Sequence, residues 1–378
     1  MILLVVILLL LINPVEFILG VDLTGIDFII PLLLFFPNLK FRFSMNLLLV
    51  VLLLVCSLFC SFIFSDYRIS IFSLIVAIIY YLYPFILYSF SSSDFLSIRD
   101  MKRTAYLFLL NFIIVRILMF TDVNQKAFPM HDYAFCTALL TFSFLYFYYF
   151  ETNKNVRLFY LILIFFLLLS ILMLKTILAL ILFLAWDLLR DKGIVHSLLV
   201  VSIVTIVLYF SPVFSKIDAY YTMYYLNDNA REIPRNLMNL QAISFAWDYF
   251  PIGVGPGIFW GFPITLYGSD LYYDLGYHLV QGLNPDKFNE VNYVFDVFWA
   301  GILGEGGIAS LLFFGIILYF PIKRLEKGSN ASSFFTSLFV LLLFQSLVLS
   351  ILAQPLFLIL VVVYPLSFYN WSTRSVIL

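Results

Sequence analysis

The chain predicts an all-α polytopic membrane protein, with about twelve transmembrane helices and one large extracytoplasmic loop. Three observations carry this. First, 63% of the residues are hydrophobic and only 11% are charged, against roughly 45–50% and about 25% in an ordinary soluble domain. Water cannot solvate so apolar a surface, so lipid must solvate much of it. Second, the apolar residues come in runs close to the ~20 residues that cross a bilayer. Third, clustered basic residues fall in alternate gaps between those runs, as cytoplasmic loops do.

In chain order the runs lie near 2–19, 25–37, 45–64, 69–90, 104–121, 130–150, 157–173, 175–189, 194–211, 293–320, 333–352 and 355–370. The first has neither a basic n-region nor a small-residue cleavage site, and it reads as a span rather than a removable signal peptide. The second is short and contains Pro31. The seventh and eighth form one apolar stretch from Leu158 to Leu189, interrupted at Lys175. A single helix of that length would be nearly 50 Å long at ~1.5 Å per residue, too long for one crossing. Two short helices meeting at Lys175 resolve this; a single long tilted helix would invert everything upstream.

With both termini cytoplasmic, the inner side holds Lys40, Arg42, Arg99, Lys102, Arg103, Lys154, Arg157, Arg190, Lys192, Lys323, Arg324, Lys327 and Arg374. The outer side holds Arg68, Lys126, Lys175, Lys216, Arg231, Arg235 and Lys287, with Arg116 near the outer end of its helix. Among the short loops every cluster of two or three basic residues falls inside, as the positive-inside rule expects. Net charge is −1, so nothing invites nucleic acid. Cys56, Cys60 and Cys136 all lie in apolar runs and read as small buried hydrophobes.

Three regions follow: helices over 1–211, a polar, Tyr-rich outer loop over 212–292, and helices over 293–378. A loop this long is functional or disordered, and its many aromatics argue for a folded lid. It contains "FPIGVGPGIFWGFP" at 250–263, with four glycines and three prolines. No strand precedes Gly253, Gly255 and Gly257, and no Lys-Ser/Thr follows, so a nucleotide loop is excluded. A turn-rich re-entrant loop is the plain alternative, with Gly supplying positive φ and Pro rigidity.

Upstream, Arg231-Glu232-Ile233-Pro234-Arg235 opens an amphipathic stretch from Leu237 to Trp247 that runs into the glycines. An arginine, a short helix and then "YFPIGVGPGIF" together resemble the signature of the O-antigen polymerase and O-antigen ligase family of bacterial membrane glycosyltransferases. "LMLKTILAL" around Lys175 resembles that family's basic break between short helices. "NYVFDVFWAGILGEGGIASLLFF" at 292–314 resembles the helix that follows its outer loop. The resemblance implies a GT-C-like architecture and extracytoplasmic glycosyl transfer from a polyprenyl-diphosphate-linked oligosaccharide, without cofactor or metal. The product would be a surface polysaccharide, O-antigen or capsule. Membrane lipid and a chain-length regulator protein are the further partners it implies.

On that resemblance the diphosphate is held by Arg235, with Arg231, Lys175 and Arg116 as further cations. A guanidinium is always charged and binds phosphate bidentately. For Lys175 and Arg116, snorkelling to the interface is the competing account. The ligase branch carries a His-Asn pair where this chain reads "FNEVNY", so polymerase leads ligase. A general base is required for the acceptor hydroxyl, and Glu290, Asp296, His278 and Asp274 are the candidates, His278 being equally an ordinary loop histidine. His131-Asp132 reads as a helix cap. Glu305, a charge inside an apolar helix, is expected to pair with Lys175 or an arginine, with its glycine neighbours permitting close helix packing. A flippase is the reading from another class; the sparse intramembrane charge and the large lid weigh against it.

Overall fold

The computed structural model describes residues 2–19, 26–35, 45–67, 69–90, 96–121, 131–171, 176–177, 179–181, 183–184, 233–261, 264, 269–284, 286, 294, 297–346 and 355–375. Every regular element among them is helical: α1 (Ile2–Leu19), α2 (Ile26–Phe35), α3 (Met45–Phe64), α4 (Ile71–Phe90), α5 (Ile98–Thr121), α6 (His131–Phe150) and α7 (Lys154–Ile171). Then come α8 (Pro234–Asp248), the short α9 (Asp270–Asp274), a 3₁₀ turn (Tyr277–Leu279), α10 (Phe298–Lys323) and α11 (Asn330–Ser346). The chain closes with α12 (Pro355–Leu358), a π-helical turn (Ile359–Val363) and α13 (Tyr364–Ser375).

Among the described residues three helices are long and apolar enough to cross a membrane: Met45–Phe64, Ile71–Ser89 and Phe298–Lys323. Shorter apolar stretches lie at Ile2–Leu11, Cys136–Phe150, Asn330–Leu343 and Leu356–Ser372. Of the sequence-read runs, 194–211 lies outside the described residues, as do Lys175 and its junction; residues 176–177, 179–181 and 183–184 beyond it are helical.

The all-helical design follows from the solvent, since backbone polar groups facing lipid must be satisfied within their own segment. α3, α4 and α10 accordingly turn residues such as Leu49, Leu52, Ile75, Ile79, Leu312 and Ile316 outward. α6 instead buries Ala138 through Leu140 and Phe144 through Phe147, because α5, α7 and α11 surround it. Interhelical hydrogen bonds pin the interior: Gln345 Nε2 donates to Thr141 Oγ1 at 2.9 Å, Trp299 Nε1 to Ser346 Oγ at 2.6 Å, and the Thr104 and Tyr364 hydroxyls meet at 2.7 Å.

α10 organises the molecule, packing against α3, α4, α8, α11 and the π turn. It runs antiparallel to α3. Ser57 Oγ lies 3.4 Å from Ser310 Oγ and donates to the Gly306 carbonyl at 3.5 Å, so the end of α3 lies beside the start of α10. At the far end Arg324 stacks on Tyr88 and Phe320. Asn330 Nδ2 reaches the Tyr149 carbonyl at 3.3 Å, and Lys102 pairs with Glu151 at 3.3 Å. These contacts gather the basic clusters of 102–103, 154–157 and 323–327 at one end of the bundle.

Candidate functional site

The glycine turn lies at the other end of α10. It begins where α8 stops: Tyr249 N–H donates to the Phe245 carbonyl at 3.0 Å and Ile252 N–H to Tyr249 at 2.9 Å. The Phe250–Pro251 peptide is cis. The backbone then runs against α10 at a break in that helix, where Gly307 takes φ 67°, ψ −167°. A break frees carbonyls that the helix would otherwise use, and the turn takes them up. Val254 N–H donates to the Gly304 carbonyl and Gly255 N–H to the Glu305 carbonyl, both at 2.9 Å. In return Ala309 N–H donates to the Pro251 carbonyl at 3.2 Å. Turn and helix thus complete one another's hydrogen bonding.

The three glycines do different work. Gly255 and Gly257 take φ of 115° and 78°, as the turn reading requires. Gly253 does not have a positive φ; it is needed for space, because a Cβ there would overlap the Gly304 carbonyl oxygen and lie 2.6 Å from the Glu305 carbonyl carbon. Gly255 packs on Ser61 and Phe62 and Gly257 on Ser73 and Ala77. Those positions lie two to six residues inside the ends of α3 and α4, about 3–9 Å at ~1.5 Å per residue. The turn is therefore re-entrant, dipping below the helix ends. Non-helical backbone at that depth is tolerated only where protein buries it or it lines a wet cavity, and Gly253 through Gly261 are all buried.

Glu305 closes the arrangement and is only 1% exposed. Its Oε1 accepts Phe259 N–H at 3.2 Å and Trp260 N–H at 2.8 Å. Its Oε2 accepts the Tyr81 hydroxyl at 3.0 Å. Its partners among the described residues are thus backbone amides and a phenol, and the expected cation Lys175 lies outside those residues. Tyr272 adds a further tie, its hydroxyl donating to the Phe259 carbonyl at 2.8 Å. The Gly304–Gly307 region does permit close packing: a Cβ at Gly304 would press on the Phe259 ring at 2.5 Å. Tyr81 escaped sequence reasoning. Its only signal is a hydroxyl-bearing ring in mid-span, among several in "IIYYLYPF".

Arg235 sits half-buried in the first turn of α8, after Pro234, with Ile233 as N-cap and no side-chain cap. No acidic residue shares that turn. A cation at the positive end of a helix dipole is disfavoured by about 0.3–1 kcal/mol. An anion near that turn is attracted by the guanidinium and the dipole together.

His278 lies on the 3₁₀ turn, its ring stacked on Tyr273 at 5.4 Å and its Nδ1 buried without a hydrogen-bond partner among the described residues. Tyr273 in turn donates to Asp286 at 3.1 Å, a bond that raises the phenol's pKa. Asp274 ends α9 and is exposed. Burial pushes the neighbouring Tyr277 phenol well up. At the mouth of the turn Tyr249 donates to Asp66 at 3.0 Å; desolvation first and that bond second push its pKa up to about 12. Glu290, Asp296, Arg231 and Lys175 lie outside the described residues, and Arg116 and His131-Asp132 are placed on α5 and α6 without their side chains. The structure thus unites the glycines with Glu305 and joins Arg235 to them through α8.

No family model matches the chain, and no curated protein or solved structure does.

Proposed function

We propose that this protein is a membrane glycosyltransferase that polymerises polyprenyl-diphosphate-linked oligosaccharide units on the outer face of a bacterial inner membrane. The observation that carries the reading is Arg235 itself: a cation set against its own helix dipole, on the helix whose C-terminal end runs into a locked re-entrant glycine turn. A diphosphate leaving group needs such a clamp, because negative charge accumulates on it as the glycosidic bond to the donor breaks. A guanidinium meets that charge with paired N–H groups. The attacking acceptor hydroxyl gives up its proton to a carboxylate or imidazole, for which Glu290, Asp296 and His278 are the proposed bases.

Sidedness is supported by the separation of the basic clusters, at one end of α10, from the glycine turn at the other. Cytoplasmic ends are enriched in basic residues, which supports an outer-face position for the turn and Arg235 in this reading.

The test is the glycan of a strain carrying Arg235→Ala, with membrane content of the protein checked in parallel. Single repeat units on the surface lipid, at normal protein level, are expected. A persisting polymer ladder refutes the clamp. Polymer stranded on the carrier lipid would replace the polymerase with a ligase.

A further inference from the structure

α8 belongs to the segment that the sequence reads as an aqueous lid, yet it carries two apolar stripes. Met238, Ala242, Phe245 and Ala246 are buried against α10, on which this helix packs. Leu240, Ile243 and Trp247 are 56%, 60% and 81% exposed. At 100° per residue this second stripe centres roughly 150° from the first, nearly opposite. A helix packed on protein and otherwise bathed in water puts polar side chains there instead. Gln241, Ser244 and Asp248 lie along one flank, and Ser244 Oγ donates to Asp248 at 2.9 Å.

Two further facts set the depth of this stripe. The Tyr249 hydroxyl ties the C-terminal end of α8 to Asp66 on the α3–α4 turn, at 3.0 Å. The chain directly after it dips beside Ser61 and Ala77, below the ends of α3 and α4. α8 therefore ends level with the outer ends of two apolar spans. Those ends turn Ile63, Phe64, Ile71 and Phe72 outward, each at least 67% exposed, and Phe250, at 66%, continues the same character from the end of α8.

From this we infer that α8 is a boundary helix embedded in the bilayer, with Leu240, Ile243 and Trp247 in contact with lipid hydrocarbon. The lipid surface of α3 and α4 extends onto it, and the tryptophan stands where indoles favour the interface. The inference rests on α3, α4 and α10 as membrane spans and is independent of any transferase activity.

Site-directed spin labelling of the full chain tests it, in vesicles of phosphatidylcholine and phosphatidylglycerol. Cys56, Cys60 and Cys136 are replaced by serine or alanine, and Leu240→Cys, Ile243→Cys and Asp248→Cys are labelled singly. All three positions are exposed, so the labels leave packing intact. Labels at 240 and 243 should collide several-fold more often with oxygen than with a water-soluble nickel chelate, and the label at 248 should reverse that ratio. Nickel-dominated collisions at 240 and 243 would put the stripe in water and overturn the inference. Dipolar broadening between labels at 243 would put a second copy on the stripe and overturn it equally.

Discussion

Removing the Glu305 carboxylate tests whether the glycine turn is held in place or merely rests there. Glu305→Ala strips acceptors from Phe259 N–H, Trp260 N–H and the Tyr81 hydroxyl, all at a site only 1% exposed. A buried donor left without a partner costs about 1–3 kcal/mol, so the three together cost on the order of 3–9 kcal/mol, before any cavity. That is comparable with the whole stability of a typical protein, about 5–15 kcal/mol. Glu305→Gln behaves differently. Its carbonyl oxygen still accepts both amides, and its NH₂ faces a hydroxyl that can rotate to accept, so only the charge assistance is lost, roughly 1 kcal/mol per bond. The assay is thermal unfolding of the detergent-solubilised protein, followed by loss of the monodisperse peak, with limited proteolysis at 250–261. The alanine variant should melt far below wild type and be cut in the turn, and the glutamine variant should melt between the two. If alanine and glutamine melt alike and near wild type, the carboxylate does not hold the turn and the reasoning is wrong.

Three further outcomes are expected. Gly253→Ala should lower the melting point by the equivalent of about 1–3 kcal/mol or more, the usual overpacking range, because its Cβ meets backbone of Gly304 and Glu305. Gly315→Ala, with nothing within 4 Å, should raise it slightly, since alanine favours a helix by about 0.5–1 kcal/mol. Tyr249→Phe should remove a pH-dependent contribution. Because the folded pKa is raised from 10.0 to about 12, that contribution is whole below pH 10 and fades as pH rises toward 12; a wild-type-minus-variant difference that grows with alkalinity would contradict it. A reporter fused after Trp247 should read extracytoplasmic, and a cytoplasmic signal there would reverse the orientation and remove Arg235 from its proposed substrate.

The glycine turn and the arginine helix were legible because they interrupt a monotonous sequence. Gly and Pro stand out in a background of Leu, Phe and Ile, and Pro234 marks the start of α8 as reliably as the glycines mark its end. The partner of Glu305 was not legible. Its amides lie 45 and 46 residues upstream and its phenol 224 upstream, and no local period encodes such pairings; both amides come from the glycine turn and not from the helix that carries Glu305, while the expected cation Lys175 lies outside the described residues. The second stripe of α8 was hidden for a related reason. Leu237 to Trp247 reads simply as amphipathic until α10 claims one face and leaves the other outward. The bend at Gly307 was equally invisible, since glycine within an apolar run is ordinary in membrane helices.

On the proposed polymerase reading, the hydrogen bonding of the turn bears on where glycan specificity would reside. Val254, Gly255, Phe259 and Trp260 all direct their amides at α10, so this loop, unlike a phosphate-cradling one, presents none of these four to a ligand. Its shape is owed to the protein interior and has no means of sensing a sugar. Grafting the turn between proteins that make different polysaccharides should therefore leave each product unchanged. A graft of the α8 sequence would carry Arg235 and its flanking side chains with it, and should alter the product.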